Sequence, residues 1–339
     1  MTITNQHTEQ VQDQLEHPIT VHTNTMHERN PGIPFDEGWL QSVHINRSAV
    51  ERRAVTLPTR RTVKKEWQAA WLLRAITCID LTTLAGDDTP GNVQRLCAKA
   101  KQPVRQELLD ALHMTPVQVG AVCVYHNLVP TAVHALRGTS IPVAAVSTGF
   151  PAGQNPFEQK IQEIKASVEA GATEIDIVIS RAHVLLGNWQ ALYEEVRAFR
   201  AACGNAHMKT ILATHELVTL RNVGMASLVC MMAGADFIKT STGKEAVNAI
   251  LPVGLVMVRA IRDYYERTGI QVGFKPAGGV RSAKSSLDWL ILMKEELGNA
   301  WLSNRLFRIG ASGLLSDIER QLSYFVTGHY AAAHHNPLV

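Results

Sequence analysis

From residue 77 onward the chain repeats one pattern, a short apolar β-rich run followed by a helix-length stretch. The runs are TCIDLTTL (77–84), AVCVY (121–125), PVAAVST (142–148), EIDIVIS (174–180), MKTILAT (208–214), FIKTST (237–242), VGFKPAG (272–278) and LFRIGAS (306–312), eight in all. Between the third and fourth, NPFEQKIQEIKASVEAGA sets Phe157, Ile161, Ile164 and Val168 at helical spacing. Asn155-Pro156 opens that helix and Gly171 stops it. Eight strand–helix units in succession predict the α/β class and a single closed parallel (β/α)8 barrel. An open doubly wound sheet would want a Gly-rich fingerprint after its first strand. Here that strand runs instead into Thr82-Thr83-Leu84-Ala85-Gly86-Asp87.

The chain is 339 residues long, more than such a barrel needs, so the remainder goes to its ends. Residues 1–38 read as a flexible polar extension: the first thirty hold only seven strongly apolar side chains, and order is expected near Trp39. Residues 39–76 read as an N-terminal helical segment, 77–325 as the barrel and 326–339 as a C-terminal tail. Five of the 14 histidines lie by position 44, at irregular spacings that suit a solvated tail better than a metal site. Arg52, Arg53, Arg60, Arg61, Lys64 and Lys65 form a basic stretch with no aromatic residues interleaved. It reads as a solvated linker feeding a helix at 65–75, and nucleic acid is not an expected partner. A net charge of +3 agrees with that. Cys78, Cys97, Cys123, Cys203 and Cys230 are an odd number, without C-x-x-C, and read as free thiols in a reducing compartment. No apolar run reaches membrane-spanning length and the N-terminus has no signal-like core, so a cytoplasmic protein is expected, with no membrane partner.

Barrel strands alternate between side chains that face the helices and side chains that face the interior. In EIDIVIS the isoleucines share one face, which turns Asp176 to the other. By the same parity Asp80, Lys239 and Lys275 point inward. Strands six and seven are neighbours, so the two lysines should lie close together in a medium of low dielectric. Desolvation and a nearby cation both disfavour an ammonium ion and lower its pKa. A lysine activated in this way can form a Schiff base with a carbonyl substrate. Asp176 could move protons beside it, directly or through water. A buried ion pair without chemistry is the competing reading, but such pairs seldom improve on apolar packing.

The loops after strands six, seven and eight are rich in glycine: Thr242-Gly243-Lys244, Gly278-Gly279-Val280-Arg281 and Gly310-Ala311-Ser312-Gly313. Backbone amides and helix N-termini in such loops suit a phosphate, and barrels often hold one there. Arg281 and Lys244 would add charge. Gly243-Lys244 is no Walker A loop, because Glu245 stands where that motif carries Ser or Thr. His126, His183, His207 and His215 are scattered, and no H-E-x-x-H occurs, so no metal and no other cofactor is expected.

These segments resemble the deoxyribose-phosphate aldolases, a class I aldolase family. The strongest matches are Asp236-Phe237-Ile238-Lys239-Thr240-Ser241-Thr242-Gly243-Lys244 and Gly273-Phe274-Lys275-Pro276-Ala277-Gly278-Gly279-Val280-Arg281. Supporting matches are Asp80-Leu81-Thr82-Thr83-Leu84, Val122-Cys123-Val124-Tyr125, Glu174-Ile175-Asp176-Ile177-Val178 and Arg308-Ile309-Gly310-Ala311-Ser312. The longer ends look like the animal-type branch. The resemblance implies that Lys239 forms the imine, Lys275 perturbs it and Asp176 is the acid/base carboxylate. It implies phosphate contacts at Gly243, Lys244, Gly278, Gly279, Val280, Arg281, Gly310 and Ser312, with Asp80 and Cys123 lining the pocket. The implied reaction is reversible cleavage of 2-deoxy-D-ribose 5-phosphate to D-glyceraldehyde 3-phosphate and acetaldehyde, in deoxynucleoside catabolism. The enzyme would be a monomer or a homo-oligomer whose partner is a small phosphorylated sugar.

Three positions depart from the family pattern. Gly313 replaces a usual Ser or Thr, His215 a usual Gly, and Ile250 a usual Thr. They bear on phosphate affinity and rate, and leave open a weakened barrel that only binds sugar phosphates. A Schiff-base enzyme for another phosphorylated aldehyde or ketose is the third reading.

Overall fold

A computed structural model describes residues 28–332. Eight parallel strands form one sheet in the order β7-β6-β5-β4-β3-β2-β1-β8. They are β1 (Ile79–Thr82), β2 (Ala121–Tyr125), β3 (Val143–Ser147), β4 (Glu174–Val178), β5 (His207–Ile211), β6 (Phe237–Lys239), β7 (Gly273–Lys275) and β8 (Ile309–Ala311). All eight lie in or overlap the eight β-rich runs. Two isolated parallel bridges, Phe274 to Phe307 and Ala277 to Gly310, join β7 to β8 and close the (β/α)8 barrel.

Alternation along the strands separates two cores. Ile175, Ile177 and Ile179 join the large outer cluster under the helices. Cys123, Ala144, Val146, Val178 and Ile211 form a small inner cluster with Phe150. The expected amphipathic helix is Phe157–Glu169, with Pro156 at its N-cap. Of its four periodic positions Ile164 is fully buried, Ile161 and Val168 are partly buried, and Phe157 at the first turn is exposed.

Order begins earlier than Trp39. Asn30 is buried; its amide Nδ2 donates to the Met231 and Ala235 carbonyls, and its backbone N–H donates to Asp236. A single polar side chain thus ties residues far apart in sequence, a contact that local composition does not reveal. The rest of the polar extension, residues 1–27, and residues 333–339 of the tail lie outside the described residues.

The basic stretch is also more than a linker. Arg52 and Arg53 lie in a helix, Arg47–Thr56, capped by the Asn46 side chain. Arg53 pairs with Glu296 and Arg61 with Glu295, so two of these cations hold the N-terminal helices to the outer helix Ala283–Leu297. The next helix, Lys65–Thr77, leads directly into β1. No described helix is long and apolar enough to cross a membrane. All five cysteines are buried and free.

Candidate active site

Sheet register brings the chemistry together. Lys239 of β6 lies opposite Lys275 of β7, and Asp176 of β4 opposite Lys209 of β5. Strand parity turns all four side chains inward, where they are buried. Asp176 Oδ2 accepts from Lys239 Nζ and from Lys275 Nζ, each at 2.8 Å. Its other oxygen, Oδ1, accepts from Lys209 Nζ at 2.9 Å. Lys275 also pairs with Asp80. Lys209 also pairs with Glu174. Arg308, just before β8, donates to Asp80 at 2.7 Å and to Glu174 at 2.9 Å.

The structure therefore brings together Lys239, Lys275, Asp176 and Asp80, and adds three groups that the sequence reading passed over: Lys209, Glu174 and Arg308. The signal was present. Lys209 alternates with Met208, Glu174 sits two residues before Asp176, and Arg308 sits two before Gly310, so the same period-2 rule turns each inward.

Charge in this interior is unevenly shared. For Lys239 burial dominates and pulls the pKa down; Asp176 opposes this, and Lys275 adds to it. Lys275 is equally buried, but with Asp176 and Asp80 both beside it its pKa rises. Lys209 is likewise raised, since Asp176 and Glu174 together outweigh its burial. Burial pushes the Asp176 carboxyl up, yet Lys209, Lys239 and Lys275 hold it well below the usual carboxylate range. One lysine of the three is thus biased toward the free amine, and it sits beside an ionised carboxylate. A neutral amine at 2.8 Å from such a group can attack a carbonyl carbon, and the carboxylate can receive a proton.

The three glycine-containing loops converge at the C-terminal end of the strands. Gly243 (φ 87°) and Gly278 (φ 79°) hold left-handed backbone, and a Cβ on Gly278 would lie 2.6 Å from Asn248. A side chain at Gly278 would displace Asn248, and at Gly243 it would strain the left-handed backbone. Gly310 donates its N–H to the Pro276 carbonyl at 2.9 Å, which ties the third loop to the second. Lys244, Gly279, Arg281, Ser312 and Gly313 are exposed at this rim, while Val280 buries its side chain in the core. The Ser241 hydroxyl, two residues beyond Lys239, is buried without a hydrogen-bond partner among the described residues. Cys123 is fully buried in the inner cluster, where burial raises its thiol pKa.

One arrangement was not foreseen. The amides of Thr242 and Gly243 do not stand open: the Glu245 carboxylate accepts from Thr242 N–H at 3.0 Å and from Gly243 N–H at 3.2 Å. In sequence Glu245 is visible only as a departure from Walker A. A carboxylate two or three residues beyond open loop amides can fold back on them, and that spacing was the available signal. His215 and Ile250 are exposed. Among the described residues, no group of three or more His, Cys, Asp or Glu side chains is arranged to hold a metal ion.

A closed parallel barrel with paired inward lysines around one carboxylate defines a class, the barrel aldolases. A model of the DeoC/LacD family of aldolases matches residues 74–314. The human deoxyribose-phosphate aldolase is 60% identical over 317 residues, covering 92% of this chain and all of that one. The mouse deoxyribose-phosphate aldolase is 62% identical over 311 residues, covering 91% of this chain and 98% of its own length. The crystallised deoxyribose phosphate aldolase of Aeropyrum pernix shares the fold, with a TM-score of 0.52 and 23% identity over 81% of this chain and 98% of that one. The chain belongs to the deoxyribose-phosphate aldolases of the DeoC/LacD family.

Proposed function

We propose that the chain cleaves 2-deoxy-D-ribose 5-phosphate reversibly to D-glyceraldehyde 3-phosphate and acetaldehyde, with Lys239 as the Schiff-base nucleophile. The observation that carries this assignment is the unequal pairing of the three barrel lysines: Lys239 meets one carboxylate, Asp176, while Lys209 and Lys275 each meet at least two, and burial of Lys239 favours its free amine. The Lys239 amine adds to the C1 aldehyde of the open-chain sugar and, with uptake of one proton and loss of water, gives a cationic imine. The imine withdraws electrons, and the C2–C3 bond breaks as the C3 hydroxyl proton passes to the Asp176 carboxylate. Glyceraldehyde 3-phosphate leaves, the enamine is protonated at C2, and water releases acetaldehyde and the free amine. Lys275 stays charged beside Lys239 and opposes its protonation. Asp80 and Cys123 line the pocket.

The substrate phosphate is assigned to the rim formed by Gly243, Lys244, Gly278, Gly279, Val280, Arg281, Gly310 and Ser312, where Lys244 and Arg281 supply charge and the loop backbone suits an anion. The Gly310 amide is held by the Pro276 carbonyl and shapes the rim, and the Gly243 amide is shared with Glu245. The metabolic setting is deoxynucleoside catabolism, in the cytoplasm, a reducing compartment that suits five buried free thiols. A retro-aldol assay coupled to glyceraldehyde 3-phosphate detection tests the assignment. Turnover is expected to survive EDTA, and borohydride added with substrate is expected to fix an adduct to Lys239. An adduct mapped to any other residue overturns the nucleophile assignment. Ribose 5-phosphate and fructose phosphates are expected to react poorly in the same assay.

Glu245 gives a further expected result. Its carboxylate rests on amides assigned to phosphate, so it competes with the substrate's charged end. Glu245→Gln is expected to lower KM for deoxyribose 5-phosphate by about threefold to tenfold, the net worth of one ordinary hydrogen bond. Steady-state kinetics on the phosphorylated and unphosphorylated sugars check this, since only the former should respond.

A further inference from the structure

Six charged side chains inside the barrel close into a ring of alternating sign. Asp176 meets Lys209, Lys209 meets Glu174, Glu174 meets Arg308, Arg308 meets Asp80, Asp80 meets Lys275, and Lys275 returns to Asp176. Three carboxylates and three cations alternate around it, each with a partner on either side. The members come from β1, β4, β5, β7 and the residue before β8. Lys239 stands outside the ring, attached only through Asp176 Oδ2, an oxygen that Lys275 already occupies.

The ring is self-neutral. Lys239 is therefore the surplus cation in a space where an unmatched charge is costly. Its proton is the cheapest to lose, because every carboxylate in the interior is already matched. The groups facing this space are Asp176 and Glu174 from β4, Lys209 from β5, Lys275 from β7, Asp80 from β1, Cys123 from β2 and Arg308 before β8. Arg308 holds the far side of the ring. It bridges Asp80 and Glu174, and acts on Lys239 only through them.

We propose that Arg308 is a positioning residue for the nucleophile: as third cation of the ring it keeps the three carboxylates matched, so that Lys239 is left without a counter-charge of its own. The inference rests on the reading of Lys239 as the imine-forming amine. Its physical content is a charge count. Without Arg308 the ring carries two cations and three carboxylates, and Lys239 becomes the missing counter-ion. It then keeps its proton to higher pH and forms imine more slowly at neutrality. Removing Glu174 as well restores the balance, two against two, and Lys239 is surplus again.

The test uses the full-length protein with acetaldehyde and cyanoborohydride, with the rate of adduct formation at Lys239 followed by peptide mass from pH 5 to 10. The acid limb of that profile reports loss of the Lys239 proton. In Arg308→Gln the limb is expected to move alkaline by about one unit, a tenfold slower reaction on its acid side. Arg308→Lys keeps the cation and should hold the limb near the wild-type position. The pair Arg308→Gln with Glu174→Gln should return it there. Arg308→Met serves in place of Arg308→Gln if the latter does not fold, as judged by near-ultraviolet circular dichroism. A purely structural role for Arg308 would lower the melting temperature and leave the limb in place. A folded neutral variant with an unmoved limb overturns the proposal, and so does an Arg308→Lys limb displaced as far as that of Arg308→Gln. A wild-type adduct at another residue overturns the nucleophile assignment instead, and the two failures are distinguishable.

Discussion

Lys239→Ala is expected to reduce retro-aldol turnover by on the order of 10⁴-fold or more, as loss of a covalent nucleophile does. It should do so without weakening the fold. Buried ion pairs are costly to break because the abandoned partner keeps its charge. Here the partner is not abandoned: Asp176 retains Lys209 at 2.9 Å on one oxygen and Lys275 at 2.8 Å on the other. The truncation removes the surplus member of a buried cluster and leaves a balanced ring. The melting temperature should therefore match the wild type or exceed it. The coupled assay reads the first outcome, and calorimetry at neutral pH reads the second. Substantial residual turnover would transfer the nucleophile role elsewhere, while a large loss of stability would mean that Lys239 is a matched charge.

Asp176→Asn should fail on both counts. The carboxylate is the one group touched by all three barrel lysines. Its loss takes away the proposed proton acceptor for the C3 hydroxyl, worth roughly 10²- to 10⁴-fold in rate. It also leaves Lys209, Lys275 and Arg308 facing only Asp80 and Glu174, two carboxylates for three cations. Loss of a buried counter-charge costs about 3 to 5 kcal/mol, so chemical denaturation should show a clear fall in midpoint. The sign with pH follows from the shifts. Asp176 has a depressed folded-state pKa, so the stability it contributes is present above the ordinary carboxylate range and is lost only as pH falls through that range toward the folded value. The gap between wild type and variant should therefore be full at neutrality and narrow in acid.

Much of the site was legible from spacing. Asp176 among isoleucines, and Lys239 and Lys275 each breaking an apolar run, are charges where a barrel strand needs an inward position, and period-2 alternation is enough to say so. The same rule covered Lys209, Glu174 and Arg308, yet nothing local distinguishes a charge that joins a network from one at a strand end. Arg308 finds its partners 228 and 134 residues away. Glu245 was visible as a residue and invisible as a contact, because its carboxylate turns back onto amides whose orientation depends on the left-handed glycine beside them. Asn30 was read as part of a loose extension because its surroundings are polar, while its hydrogen-bond partners belong to a helix end some 200 residues downstream.

What belongs to the sequence alone is periodicity: eight short runs, their alternation with helices, and the parity that selects inward side chains. These follow from local geometry, since side chains alternate along a strand and recur every three to four residues along a helix. What belongs to the tertiary structure is pairing. Which lysine loses its proton depends on how many carboxylates already have partners, and that is settled only when five strands and the residue before β8 converge on one interior where water no longer screens their charges.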